Sequence, residues 1–315
     1  QLPERLLCWR IDRDRATLFV LDAPAKELAQ AISSYRRMVQ NLEPLEKNSR
    51  ELYDKLIARP LAGVGTVRSL GIVPHGSLHY LSFATLSDGR DYLVDRQSLF
   101  YLPAASVLRY TLGRRQAEKN LKVLAVGNPD LGNRSLDLPF AEREAGTLKW
   151  DYPDVTVLTR ERATKSWVSA HISEFGIIHL ASHGEFDPVN PLFSAVRLAR
   201  DEKSDGRLQA DEVFGLDIKA DLVVLSACQT GLGDVKSGDD VVGMNRAFLF
   251  AGTHALMSSL WRVSDVSTAI LMKQFYREYG RSNKADSLRR AMLHVKNRYP
   301  HPGYWGAFIL SGDYE

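Results

Sequence analysis

The chain has 315 residues, 44% of them apolar and 25% charged, a balance that supports one large α/β domain or two modest ones and excludes disordered and fibrous classes. Its net charge is +3, and residues 1–160 carry 23 basic and 19 acidic side chains against 18 and 19 in residues 161–315, so no basic arm of the kind that binds nucleic acid stands out. Two cysteines, Cys8 and Cys228, are too few for a disulfide framework or a cysteine zinc cage, and a reduced, cytoplasmic setting follows most simply.

In chain order, residues 15–22 read as a strand and 25–58 as helical, with Leu28, Ile32, Tyr35, Met38, Val39 and Leu42 at helical spacing before Pro60. Residues 67–73 form a β-rich run into Pro74-His75-Gly76, a turn. A helix is expected over 106–119, a strand over 121–126 ended by Gly127-Asn128-Pro129, a helix over 139–149 and a strand over 155–158. Thr164 is placed to cap a helix running to Ser173. Two apolar runs follow, 177–181 and 222–227, with a short helix opened by Asp211 between them. The second is followed by a glycine-rich acidic loop over 231–243, a helix over 244–251, a strand over 255–260, helices over 265–280 and 284–298, and a last strand over 305–310. Near-continuous apolar strands alternating with helices indicate an α/β fold, a mostly parallel central sheet with helices on both faces. The division expected is 1–66, an N-terminal strand and helical segment, then 67–150 and 151–315.

Several chemistries lack a signature. There is no G-x-S-x-G, H-E-x-x-H or C-x-x-C, so no serine elbow and no metal site are indicated. Gly231-Leu232-Gly233 and Lys236-Ser237 fail phosphate-loop spacing because Val235 precedes the lysine. No cofactor is called for. The uncharged stretch 247–261 has fifteen residues, short of the 20 or so a membrane span needs. No signal peptide is visible, and the start at Gln1 fits a longer polypeptide.

What remains is a thiol and an imidazole in matching contexts. Cys228 and His183 each follow an apolar run and lie beside glycine or a glycine-containing turn. In an open parallel sheet, functional groups gather beyond the carboxyl ends of strands. An imidazole there can serve a thiol as base and then as acid. Caspases place a cysteine in Q-A-C-[RQG]-G about 50 residues after the histidine; here Ser226-Ala227-Cys228-Gln229-Thr230-Gly231 lies 45 residues after His183. Alone, a cysteine ending an apolar strand equally suits packing. Cys8 beside Trp9 reads as structural, His179 as packed, and His75-Gly76 as a turn that imitates His183-Gly184.

Leu180-Ala181-Ser182-His183-Gly184, Asn190-Pro191-Leu192, Leu225-Ser226-Ala227-Cys228-Gln229-Thr230-Gly231, Phe248-Leu249-Phe250-Ala251-Gly252, Ser259-Leu260-Trp261 and Tyr304-Trp305-Gly306-Ala307-Phe308 resemble the CHAT family. The resemblance covers residues 70–315, with Val73-Pro74-His75-Gly76 and Leu78-His79-Tyr80-Leu81 at its start. These are caspase-like domains, mostly bacterial and often joined to tetratricopeptide repeats. The resemblance implies a caspase-type fold related to separase and a His183–Cys228 dyad. By likeness to caspases, the oxyanion hole falls to the N–H groups of Gly184 and Cys228, and Ser226 lines the specificity pocket. No third catalytic residue is implied.

Asp234, Asp239 and Asp240 follow Cys228, and Glu185 and Asp187 follow His183 with no base nearby in sequence. They read as a solvated loop or, functionally, as an acidic substrate pocket formed by Asp187, Asp234, Asp239 and Asp240 that favours a basic residue before the scissile bond. The expectation is a cysteine endopeptidase acting on a protein substrate and regulated by a partner or by N-terminal repeats. The 231–243 loop is its candidate gate. The alternatives are a vestigial caspase-like interaction module and acyl transfer to an acceptor other than water.

Overall fold

The apolar runs become the middle of an eight-stranded sheet. The protein is seen in a computed structural model that describes residues 4–65, 67–107, 120–185, 187, 190–226, 228–229 and 240–315. In chain order the strands are β1 (Leu6–Ile11), β2 (Ala16–Leu21), β3 (Ser69–Ile72), β4 (Ser98–Tyr101), β5 (Val123–Pro129), β6 (Val155–Arg160), β7 (Ile177–Ala181), β8 (His183–Glu185), β9 (Ala195–Arg197), β10 (Arg207–Gln209), β11 (Leu222–Leu225), β12 (Cys228–Gln229), β13 (Ala255–Ser259) and β14 (Phe308–Gly312). The longer helices are α1 (Ala25–Gln40), α2 (Glu46–Tyr53), α3 (Pro139–Thr147), α4 (Lys165–His171), α5 (Ala210–Phe214), α6 (Asp240–Phe250), α7 (Asp265–Tyr279) and α8 (Lys284–Arg298).

The large sheet runs β3-β4-β14-β13-β11-β7-β5-β6. Every neighbouring pair is parallel except β13–β14. Its strands read as unbroken apolar runs because both faces are covered. Val123 and Ala125 join one core with residues of α7 and α8, while Leu124 and Val126 join a second with residues of α4, α5 and α6. The first core also takes Leu28, Ile32 and Val39 from α1, and the buried Arg36 donates to the Leu260 carbonyl beyond β13 at 2.7 Å. Thr164 caps α4 by accepting the Trp167 N–H.

Several expectations are corrected. The 25–58 helix breaks over 41–45, where Leu42 takes a left-handed φ of 57°. β1, for which no element was expected, pairs antiparallel with β2. β5 continues through Gly127-Asn128-Pro129 instead of ending there, because a bulge absorbs Asn128. The last strand starts at Phe308, not at 305, because Pro302–Tyr304 forms a 3₁₀ turn and Trp305 is packed inside. Most of the helix expected over 106–119 lies outside the described residues.

The amino-terminal edge of the sheet is tied by a buried ion cluster. Lys284 is 1% exposed and donates to Asp221 at 2.9 Å and to Asp313 at 3.4 Å. Burial alone would raise the Asp221 carboxyl, but bonds from His254 and Tyr279 and the Lys284 charge outweigh it and hold the group well below the usual carboxylate range. A depressed carboxyl stabilises the fold above its unfolded pKa and loses that contribution as pH falls. Asp221→Asn is therefore expected to cost about 3 kcal/mol near neutrality, a gap that closes as pH drops below about 4. Urea unfolding of both proteins from pH 7 to 3 checks this; a gap independent of pH would contradict it.

Candidate active site

Strands β7 and β11 are parallel neighbours, with Leu222 opposite Ile177 and Leu225 opposite Leu180. Parallel direction brings both carboxyl ends to one edge. Beyond that edge the two chains pair again, as β8 and β12 of a four-stranded sheet ordered β10-β9-β8-β12. There Cys228 stands opposite His183 and Gln229 opposite Gly184. The register offset of 45 residues is the same before and after the crossing. It sets the backbones of Cys228 and His183 one strand spacing apart, about 4.8 Å.

The His183 ring is half-buried and held on one side: Nε2 lies 2.8 Å from the Leu136 carbonyl oxygen. A carbonyl only accepts, so Nε2 carries the hydrogen and Nδ1 is the basic nitrogen. Leu136 ends a 3₁₀ turn, Arg134–Leu136, capped by Asn133, whose side chain accepts the Ser135 N–H. The sequence offered no signal for this partner, because a backbone carbonyl has no residue type. Ser182, 1% exposed, anchors the preceding residue by donating its hydroxyl to the Arg197 carbonyl of β9.

The other predicted residues distribute unevenly. Gly184 lies between Gln229 of β12 and Val196 of β9. Ser226, half-buried between β11 and β12, donates its N–H to the Leu180 carbonyl at 3.0 Å. Asp187 accepts the Asn190 N–H at 2.9 Å, and its own N–H donates to Ser194 Oγ. Asp240 opens α6, so residues 240–243 are helix and not loop. Asp234 and Asp239, with most of the expected gate, lie outside the described residues. Gly243 packs on Pro191, where an added Cβ would meet the proline ring at 3.0 Å. Glu185 does have bases nearby: Arg197, on the neighbouring β9, and Arg207, on β10 beyond it, each reach its carboxylate at 3.1 Å. The expectation of an unpaired acid there is corrected, since sequence distance hides cross-strand neighbours.

His179 is fully buried, bonded to Tyr276 Oη at 2.9 Å and 3.0 Å from Glu144, which makes it a core histidine. His75 follows β3, four strands from β11, or about 19 Å at the usual spacing. Burial pushes the Cys8 thiol up, away from the reactive thiolate. Among the described residues, no group of His, Cys, Asp and Glu could hold a metal ion, and no helix is long and apolar enough to cross a membrane.

Comparison with known proteins places the chain and its fold. The CHAT domain matches residues 46–313. Tetratricopeptide repeat protein 28 of Homo sapiens is 27% identical over 84% of this chain and 13% of its own length, and its Mus musculus counterpart is 28% identical over the same shares. The chain thus spans 13% of these curated relatives. The fold is shared with separase in the Saccharomyces cerevisiae separase–securin complex, with a TM-score of 0.55 and 14% identity over 94% of this chain and 20% of that one. It is shared also with the Arg-specific cysteine proteinase gingipain R, with a TM-score of 0.51 and 10% identity over 92% and 74%.

The Ser182 anchor generates a stability prediction. Ser182→Ala removes a buried hydrogen bond and leaves the Arg197 carbonyl short of a donor, a loss of about 1 kcal/mol. Chemical unfolding measures it; an unchanged midpoint would show that the strand crossing does not depend on this bond.

Proposed function

The chain belongs to the CHAT domain family, and from that premise we propose that it is a cysteine endopeptidase in which Cys228 is the nucleophile and His183 moves the proton. The observation that carries this reading is the register of β8 and β12, which sets Cys228 opposite a histidine whose Nε2–H is committed to Leu136. His183 Nδ1 takes the thiol proton, and the thiolate attacks the peptide carbonyl. The tetrahedral oxyanion lies against the backbone at Gly184 and Cys228. Collapse breaks the C–N bond, the imidazolium gives its proton to the leaving amine, and a thioester remains on Cys228. Water, deprotonated by His183, then releases the carboxylate and restores the thiol.

The substrate is a protein, with Ser226, Asp187, Asp234, Asp239 and Asp240 as the proposed lining of its pocket. Neutralisation of Glu185 by Arg197 and Arg207 leaves selection of a basic residue before the scissile bond to those aspartates. The gingipain likeness makes arginine the first residue to try. Regulation falls to a partner or to helical repeats, a reading supported by relatives named for tetratricopeptide repeats. A reducing compartment such as the cytoplasm suits a free nucleophilic thiol.

With a fluorogenic peptide library varied before the scissile bond, Cys228→Ala should abolish cleavage and His183→Ala should lose at least about 100-fold in rate. His75→Ala should cleave as the wild type does. Cleavage retained in Cys228→Ala would refute the peptidase reading; loss in His75→Ala instead of His183→Ala would identify a different base.

A further inference from the structure

The Leu136 carbonyl sets the His183 tautomer; the Leu136 N–H donates to the Asn133 carbonyl at 3.0 Å, but the residue is 37% exposed and its side chain lends little anchorage. It is fixed further through the next two residues. Asp137 accepts from Arg160 Nη1 at 2.7 Å. The Leu138 N–H donates to Asn128 Oδ1 at 2.7 Å, and Asn128 Nδ2 donates in turn to Glu142 at 2.9 Å. Asn128 is 3% exposed and stands at the β5 bulge; Arg160 ends β6, where it is the register partner of Pro129.

Both residues carry backbone strain. Of the three described non-glycine residues with positive φ, two are Asn128 at 52° and Arg160 at 54°. Asparagine tolerates the left-handed region through its short side chain, but arginine gains nothing local from it. Such outliers persist where surroundings over-determine them and cluster at functional sites. Here two of them stand at the ends of neighbouring strands and grip one turn from both sides.

We propose that Asn128 and Arg160 are positioning residues that hold the Leu136 carbonyl on His183 Nε2–H and so keep Nδ1 as the proton acceptor. The role of His183 as base rests on the peptidase reading above; the effect on its tautomer does not. If the carbonyl drifts, the ring is released to exchange between its two neutral forms, and only one of them presents a bare Nδ1.

The test is nitrogen NMR on the whole chain labelled with ¹⁵N-histidine, the His183 signals being those missing from His183→Ala. Wild type should show a single Nε2–H tautomer. Asn128→Ala and Arg160→Gly should each show a mixture, while Arg160→Lys, which keeps a cation for Asp137, should restore the single form. Arg160→Gly relieves the left-handed backbone, so its unfolding midpoint should not fall, which separates positioning from a merely structural role. In peptide cleavage, kcat should drop about 3-fold for Arg160→Gly and about 10-fold for Asn128→Ala, with KM little changed. If Asn128→Ala does not fold, Arg160→Gly alone decides. An Nδ1–H tautomer in wild type, or an unaltered single tautomer in Arg160→Gly, overturns the proposal. Tautomer mixing as expected in a chain that cleaves no peptide would refute the peptidase reading and leave the positioning role standing.

Discussion

The site depends on one constraint, the parallel register between β7 and β11. A slip by one residue moves every side chain to the opposite face, and here the two faces pack into two different cores, Ile177, Leu222 and Val224 in one and Ile178, Leu180, Val223 and Leu225 in the other. The register is therefore fixed by the two cores, and it is carried unchanged into β8 and β12. Cys228 and His183 meet because Leu222 and Ile177 do. The flanking antiparallel strands β9 and β10 then hold β8, through the Ser182 bond to the Arg197 carbonyl and the pairing of Glu185 with two arginines.

The two ends of the sheet have different chemistry. At the amino-terminal edge, Asp221, Lys284, Asp313 and Tyr279 form a buried, hydrogen-bonded set that ties α7 and α8 to the strand ends. At the carboxyl edge His183, Glu185 and Ser226 are half-buried, and the imidazole is held by a backbone carbonyl. Charge is used for closure at one end and left accessible at the other, as expected where parallel strands open onto a ligand crevice.

Much of this was legible in the sequence, for physical reasons that can be named. The run 177–181 was read to the residue because every side chain in it is buried, and helix α8 was read at both ends because Asn283 caps it and the chain turns at Tyr299. That His183 and Cys228 each end an apolar run was legible in the run pattern, and the family resemblance paired them; that the two strands are neighbours is a finding of the structure. Contributions without a residue type were not legible: the Leu136 carbonyl, the bulge at Asn128, the left-handed Arg160. Cross-strand neighbours were equally invisible, which is why Glu185 looked unpaired and β8 was not expected as a strand. Several residues that carried the family resemblance prove to be packing. Trp261 and Trp305 are buried, and Trp305 donates to the Pro300 carbonyl while meeting Tyr92 edge-on. They mark the fold.

The central claim is that the register makes Cys228, and not Cys8, a thiol activated by His183. Its most direct measurement is covalent labelling of the whole chain with a peptidyl acyloxymethyl ketone, located by peptide mass mapping. The account predicts one adduct, on Cys228, formed much more slowly in His183→Ala, with Cys8 unmodified. Labelling confined to Cys8, or labelling of Cys228 at the same rate with and without His183, would contradict it.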